Sequence, residues 1–134
     1  MKVIVDFNKI FSALTPISSA IREILIRGDD DMFAPNFIVI ELFEKKEKLL
    51  KSTKLTNDEF YSFLHLIIER ITFVALERID TIHIENAWEL CKDVDEKDFA
   101  YVALTLELNG QFWTGDKKLI NGLRAKGFDQ FFES

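Results

Sequence analysis

Four short, largely apolar runs punctuate this chain, and each gives way to a stretch with helical spacing. The runs are Lys2–Val5, Met32–Ala34, Thr72–Ala75 and Gln111–Thr114. They are too short for buried helices, and they lack the polar alternation of strands that face water on one side. Val3, Ile4 and Val5, two valines around an isoleucine, suit a pleated surface buried on both faces. The intervening helices must then supply the cover, which makes the sheet parallel. The sequence predicts an α/β fold of three layers, α/β/α, around a central parallel sheet of four or five short strands. The fifth would be an edge strand within Phe128–Phe132.

A length of 134 residues predicts a single domain over 1–134 with a substantial core. Hydrophobic residues make up 48% and charged residues 30%, which excludes a disordered chain. No apolar run approaches the roughly 20 residues of a membrane span. The opening MKVIVDFNKIF breaks its apolar stretch with an aspartate and makes a poor signal peptide. Cys91 has no partner for an internal disulfide, so a reducing, cytoplasmic setting is expected. The net charge of −6 argues against tight, sequence-blind binding of nucleic acid through bulk charge. A phosphate substrate would need a local basic surface or a bound cation.

The stretch FNKIFSALTPISS (7–19) predicts an irregular turn or broken helix, with Ser18 or Ser19 capping a helix that Gly28 ends. Pro35 and Asn36 open a helix expected to run to about Ser52, with a core face of Phe37, Ile40, Phe43 or Glu44, and Leu50. Its second half, 45–54, has five lysines against one glutamate and reads as a solvated face. Thr56 and Glu59 form a capping box ahead of the stripe Phe60, Phe63, Leu64, Ile67, Ile68 and Ile71. Asp80 or Thr81 caps the next helix, through Ile82, Ile84, Ala87, Trp88 and Cys91. Asp95 opens another, which from Phe99 to Leu108 is apolar almost all round and must be buried on several sides. Asp116 caps a last helix to Lys126, which Gly127 stops. Trp88, Trp113 and Cys91 read as core, while His65 and His83 lack the spacing of metal ligands.

Asp6 and Asp116 each follow a strand, Asp98 lies in the first turn of the buried helix, and Glu41 lies in the helix after the second strand. In a parallel sheet these positions share the rim beyond the strands' carboxyl ends, where ligands bind. Singly, each has an ordinary reading. Asp6 and Asp116 suit helix caps, Asp95 and Asp98 suit a helix start, and Glu41 suits an exposed face. Together the four would repel one another until some protonate or a divalent cation binds. An all-oxygen set without His or Cys suits Mg²⁺ or Mn²⁺. Such ions lower the pKa of bound water and neutralise charge on a phosphodiester. No Walker loop, GxGxxG or GxSxG element is present.

The acids in their setting resemble the PIN-domain family of metal-dependent nucleases. Val3-Ile4-Val5-Asp6-Phe7-Asn8 is similar to the family's first strand, which ends in Asp with Asn or Ser two residues on. Ala34-Pro35 and Ile40-Glu41-Leu42 are similar to its acidic helix. DEKDFAYVALTLELNGQFWTGDKKL (95–119) resembles its C-terminal signature, with Asp98 eighteen residues before Asp116. The resemblance covers nearly the whole chain, though the region near 50–90 shares only the fold. It implies a metal site of Asp6, Glu41, Asp98 and Asp116, with Asp95 as an extra acid and Glu44 as rival to Glu41. Asn8 and Thr114 would support the acids, and Lys9, Lys117 and Lys118 would contact RNA. Two departures, Phe7 in place of a small residue and Gly115 where many relatives carry Arg, leave that set of acids intact.

The implied activity is hydrolysis of RNA phosphodiesters, leaving a 5′-phosphate, with one or two Mg²⁺ or Mn²⁺ ions as cofactor. Small members of the family act as toxins of toxin–antitoxin pairs, which implies a homodimer held inactive by an antitoxin. The alternative is a catalytically weak PIN-like scaffold that binds RNA or protein. A receiver-like phosphoprotein would require a lysine at a later strand end, where this chain has Thr114-Gly115-Asp116.

Overall fold

Val3, Ile4 and Val5 have no exposed surface, so their strand lies at the centre of the sheet. In the computed structural model, which describes residues 1–15 and 19–133 (Ser19 by its backbone alone), the chain runs as follows. The first half comprises β1 (Lys2–Val5), α1 (Phe7–Ala13), α2 (Ser19–Arg27), β2 (Asp31–Pro35), α3 (Phe37–Glu44), α4 (Lys46–Thr53) and α5 (Asn57–Arg70). The second comprises β3 (Ile71–Val74), α6 (Thr81–Cys91), α7 (Phe99–Leu108), β4 (Gln111–Trp113) and α8 (Lys117–Ala125). Short 3₁₀ turns at Leu76–Arg78 and Glu96–Asp98 precede α6 and α7.

The four strands are all parallel, in the order β3-β2-β1-β4. Val3 lies opposite Met32 on one side and Gln111 on the other. From β1 to β3 the chain steps one way across the sheet, and from β3 to β4 it returns past β1. Right-handed crossovers therefore put α1–α5 on one face and α6 and α7 on the other, which gives the predicted α/β/α layers. The PIN-like expectation extends to a fifth strand only in part. Phe131 makes a single parallel bridge to Phe112, so Phe128–Phe132 is an edge contact rather than a strand.

α7 is the centre of its layer. It packs on β1, β2 and β4 from one side and against α6 from the other. Ala100 through Thr105 are all buried, and the Thr105 hydroxyl donates to the Tyr101 carbonyl at 2.8 Å. Asn109 ends the helix in the left-handed region (φ 50°), and Gly110 brings β4 against β1. A Cβ on Gly110 would lie 2.6 Å from the Lys2 carbonyl oxygen. Fully burying a side chain such as Ile4 or Phe112 stabilises the fold by about 1.5–3 kcal/mol.

Several local expectations need correction. Of the two readings of the stretch after Asp6, the broken helix holds: α1 runs regularly to Ala13 and the chain turns out of it at Leu14 and Thr15. The cap at Ser18 or the Ser19 side chain lies outside the described residues. The helix expected to reach Ser52 is two helices that break at Lys45 (φ −101°, ψ 7°). Its core face is Ile38, Leu42 and Leu49, whereas Ile40 and Phe43 are 61% and 73% exposed. Five of the first six α3 residues are apolar, so periodicity could not choose a face. Ile68 and Trp88 are also partly exposed, Trp88 resting edge-on against Phe99 at the rim of its layer. The helix expected to open at Asp95 begins as the 3₁₀ turn, and Asp80 stands at the α6 N-cap without a side-chain bond. The Thr56–Glu59 capping box forms in full. Trp113 and Cys91 are buried.

Candidate metal centre

β1 and β4 are neighbours whose following segments diverge, β1 leading toward β2 and β4 toward the Phe131 edge. Such a switch in direction opens a crevice at the carboxyl ends of the two strands. Asp6 and Thr114–Asp116 stand at that place. The Asp6 amide donates to the Trp113 carbonyl at 3.2 Å, continuing the strand pairing to the rim.

Both strand-end aspartates are also helix caps. Asp6 accepts from the Lys9 amide at 3.0 Å, and Asp116 accepts from the Leu119 amide at 3.1 Å. Each bond is made through one carboxylate oxygen, Oδ1. The ordinary reading and the site reading therefore hold together. Thr114 lies between the two acids. Its hydroxyl accepts from the Asp116 amide at 3.2 Å and, with Lys9, draws the buried Asp6 carboxyl back down. Burial is still the larger effect and leaves Asp6 above its ordinary pKa.

Asp95 caps the 3₁₀ turn by accepting from the Lys97 amide at 3.1 Å. That turn presents Asp98 at the N-cap of α7, where its side chain makes no cap bond. Carboxylate oxygens of Asp95, Asp98 and Asp116 all lie within 4.8 Å of one another. Burial, then the charges of Asp95, Asp6 and Asp116, push the Asp98 carboxyl up to about 7. Helix α7 thus holds a carboxyl that titrates near neutrality among three other acids.

A cavity of about 220 Å³ adjoins this cluster, lined by Asp6, Glu41, Asp98, Tyr101, Lys45 and Lys97 among others. Glu41 reaches it from α3, while Glu44 lies on the exposed side of the same helix. Lys45 Nζ stands 3.3 Å from Glu41 Oε2 and 4.8 Å from the centre of the Phe7 ring. The Phe7 amide donates to the Tyr101 hydroxyl at 3.1 Å. Burial and the nearby carboxylates hold that phenol above its usual pKa, so it stays protonated.

The structure therefore brings Asp95, Asp98 and Asp116 into one group, with Asp6 within electrostatic reach of Asp98. Glu41 stands apart from the three, across the adjoining cavity. Asn8 is exposed at the mouth. Lys117 and Lys118 are exposed in the first turn of α8, Lys118 beside Asp95 and Asp116. Of the cavity's lining, sequence reasoning did not single out Tyr101 and Lys97, and met Lys45 only within the lysine run 45–54. The one available signal was a phenol one helical turn beyond Asp98 in the first, apolar half of a helix whose later polar residues are Thr105 and Glu107.

The donor set fits a hard divalent cation. It is all oxygen, it is crowded, and Asp98 has no competing helix-cap bond. Cys91 supplies no soft ligand, because burial and the Asp98 and Asp95 charges push its thiol up to about 12. His65 and His83 pair with Glu69 and Glu107, outside this group. The sequence model of the PIN domain matches residues 4–132, nearly the whole chain. No curated protein matches it significantly.

Proposed function

The chain belongs to the PIN-domain family, generally nucleases dependent on divalent metal, and from that premise we propose that it is a metal-dependent endoribonuclease. The observation that carries this reading is the group Asp95, Asp98 and Asp116, with the Asp98 carboxyl pushed up to about 7 by burial and by its acidic neighbours.

Asp98 and Asp116 would hold the cation, with Asp95 as a further ligand and Asp6 beside them. Mg²⁺ or Mn²⁺ bound there would supply a nucleophilic water and offset the charge that develops on the phosphodiester. The protein's own residues do the rest. Asp98 would have to give up its proton to serve as a ligand of the cation. Thr114 holds the Asp116 backbone amide on one side and hydrogen-bonds the Asp6 carboxyl on the other. Glu41, from across the cavity, would orient water or a second ion. The Tyr101 phenol anchors the start of α1 and so the position of Asp6. Lys9, Lys45, Lys97, Lys117 and Lys118 would meet phosphates of the strand, because the net charge of −6 gives RNA no general attraction. The products would be a 5′-phosphate and a 3′-hydroxyl.

Within this reading the chain is a candidate toxin of a toxin–antitoxin pair, working as a homodimer until an antitoxin covers it. The exposed Ile40 and Phe43 give α3 an apolar edge suited to a protein contact.

The test is cleavage of labelled single-stranded RNA at low salt, with Mn²⁺, Mg²⁺ or EDTA, beside Asp98→Asn prepared identically. Metal-dependent cutting that the folded variant loses supports the reading. Equal cutting by both proteins overturns the site assignment, and no cutting with either metal favours the scaffold alternative.

A further inference from the structure

A second cavity, of about 370 Å³, opens on the other flank of the acids, bounded by Asn8, Lys9, Ser12, Gly115 and Asp116. Its chemistry differs from that of the first. Asp116 is its one anion. That carboxylate is tied to the Leu119 amide and lies within 4.8 Å of Asp95 and Asp98, on the side of the cluster. The remaining walls offer an ammonium, an amide and a hydroxyl.

The ammonium is held in place. The Lys9 backbone amide is bonded to the Asp6 carboxylate, which fixes the residue in the first turn of α1. Its Nζ lies 5.4 Å from the centre of the buried Trp113 ring, a cation–π contact that keeps the side chain against the sheet end. Nothing in the Gly115 backbone demands glycine, since the only glycine with positive φ is Gly127. What Gly115 does is leave room. A Cβ there would lie in ordinary contact, 3.6 Å from Lys9 Nζ and 3.9 Å from its Cε, and a longer side chain extended toward Lys9 would compete for the space the ammonium occupies. A glycine, an aromatic ring and a capping aspartate thus converge on the placement of one lysine.

We infer that this cavity seats the RNA phosphate next to the scissile one, with Lys9 as its cation and Gly115 as the residue that keeps the seat open. The inference deepens the nuclease reading and rests on it. Asp116 borders both the seat and the acidic cluster, which puts the seat one step along the strand. Lys9 is here a positioning residue. It fixes the register in which the strand crosses the acids.

The probe is a fluorescein-labelled single-stranded RNA of twelve nucleotides, used in Ca²⁺, which accepts looser coordination than Mg²⁺. Anisotropy across a salt series gives affinity and its salt dependence. Lys9→Met is expected to weaken binding several-fold at about 50 mM salt and to lower the log–log salt slope by about 0.7, one single-strand phosphate. Lys9→Arg should restore both. Gly115→Leu should reproduce the loss by displacing the ammonium. Replacing linkages one at a time with neutral methylphosphonate should weaken wild-type binding at a position to which Lys9→Met has become insensitive. In cleavage, Lys9→Met should raise KM more than it lowers kcat. Thermal unfolding must stay within a few degrees of wild type, which a purely structural role for Lys9 would not allow. If the wild type binds RNA and Lys9→Met leaves the slope and the linkage profile unchanged, the phosphate seat is overturned and the nuclease reading stands. If the wild type binds no RNA in any metal, both fall.

Discussion

The two ends of α7 lie in opposite surroundings. At its C-terminal end the helix stops at Asn109, the chain turns through Gly110, and β4 closes onto β1 beneath buried Ile4 and Phe112. At its N-terminal end Asp98 has no cap bond, is partly buried, and is raised to about 7 by burial and three neighbouring acids. One end contributes packing. The other holds charge whose burial costs stability. A helix N-terminus favours anions by about 0.3–1 kcal/mol each, too little to offset a shift of this size. The contrast teaches that the acids are held by the fold against their mutual repulsion, and that a bound cation would relieve it.

Substitutions at the two ends should therefore have opposite signatures. Asp98→Asn is expected to lower RNA cleavage by about a thousandfold or more, the scale of losing a key electrostatic contact in a water-poor site. It should leave the protein folded and no less stable at pH 8. A large loss of melting temperature would erase the contrast. Gly110→Ala should do the reverse. Its Cβ meets the Lys2 carbonyl oxygen and, at 2.8 Å, Ile4 Cδ1, so the strands must part. A loss of about 2–4 kcal/mol in urea unfolding is expected, with cleavage per folded molecule unchanged.

A smaller effect sharpens the same comparison through pH. The Asp98 carboxyl is pushed up to about 7 in the folded chain, against an ordinary 3.8. Between those values the folded state holds more protons than the unfolded one. This group's stabilisation is therefore full below about pH 4 and is lost as the pH rises through about 7. Without metal, the urea midpoint should fall between pH 5 and pH 8 by an amount worth roughly 1–3 kcal/mol, discounted for partial exposure. Asp98→Asn should flatten that slope, and Gly110→Ala should keep it. The mildest test is Asp95→Asn, which removes one neighbour and leaves Asp98 beside Asp6 and Asp116. About tenfold less cleavage is expected, with a downward shift of the Asp98 carboxyl visible by NMR.

Much of the acidic end was legible because the chemistry coincides with element boundaries. Asp6, Asp95, Asp98 and Asp116 stand where apolar runs stop or helices start, and those boundaries follow from local pattern. Thr114 came with them. The cavity side was less legible. Tyr101 sits in a run that reads as pure core, and its hydroxyl acquires meaning only when α7 lies under the Phe7 amide. Lys45 belonged to a lysine run that reads as solvated, and only the break after α3 sets it over Phe7 and beside Glu41. The exposed Ile40 and Phe43 show the same limit. A short helix apolar at most positions does not reveal which side faces the core. Local signals placed the acids, while tertiary packing decided what surrounds them.

The most direct test of the central claim, that the acidic end of α7 is a cation site, is Mn²⁺ binding by calorimetry at pH 8 with melting temperature read alongside. The account predicts saturable binding to the wild type and a melting temperature that rises with Mn²⁺. A hundredfold excess over Kd should add about 2.7 kcal/mol. At pH 6 binding should weaken, because the cation must displace the Asp98 proton. Asp98→Asn should lose both the heat and the rise. Binding of equal strength in wild type and variant, or none to the folded wild type, would contradict it.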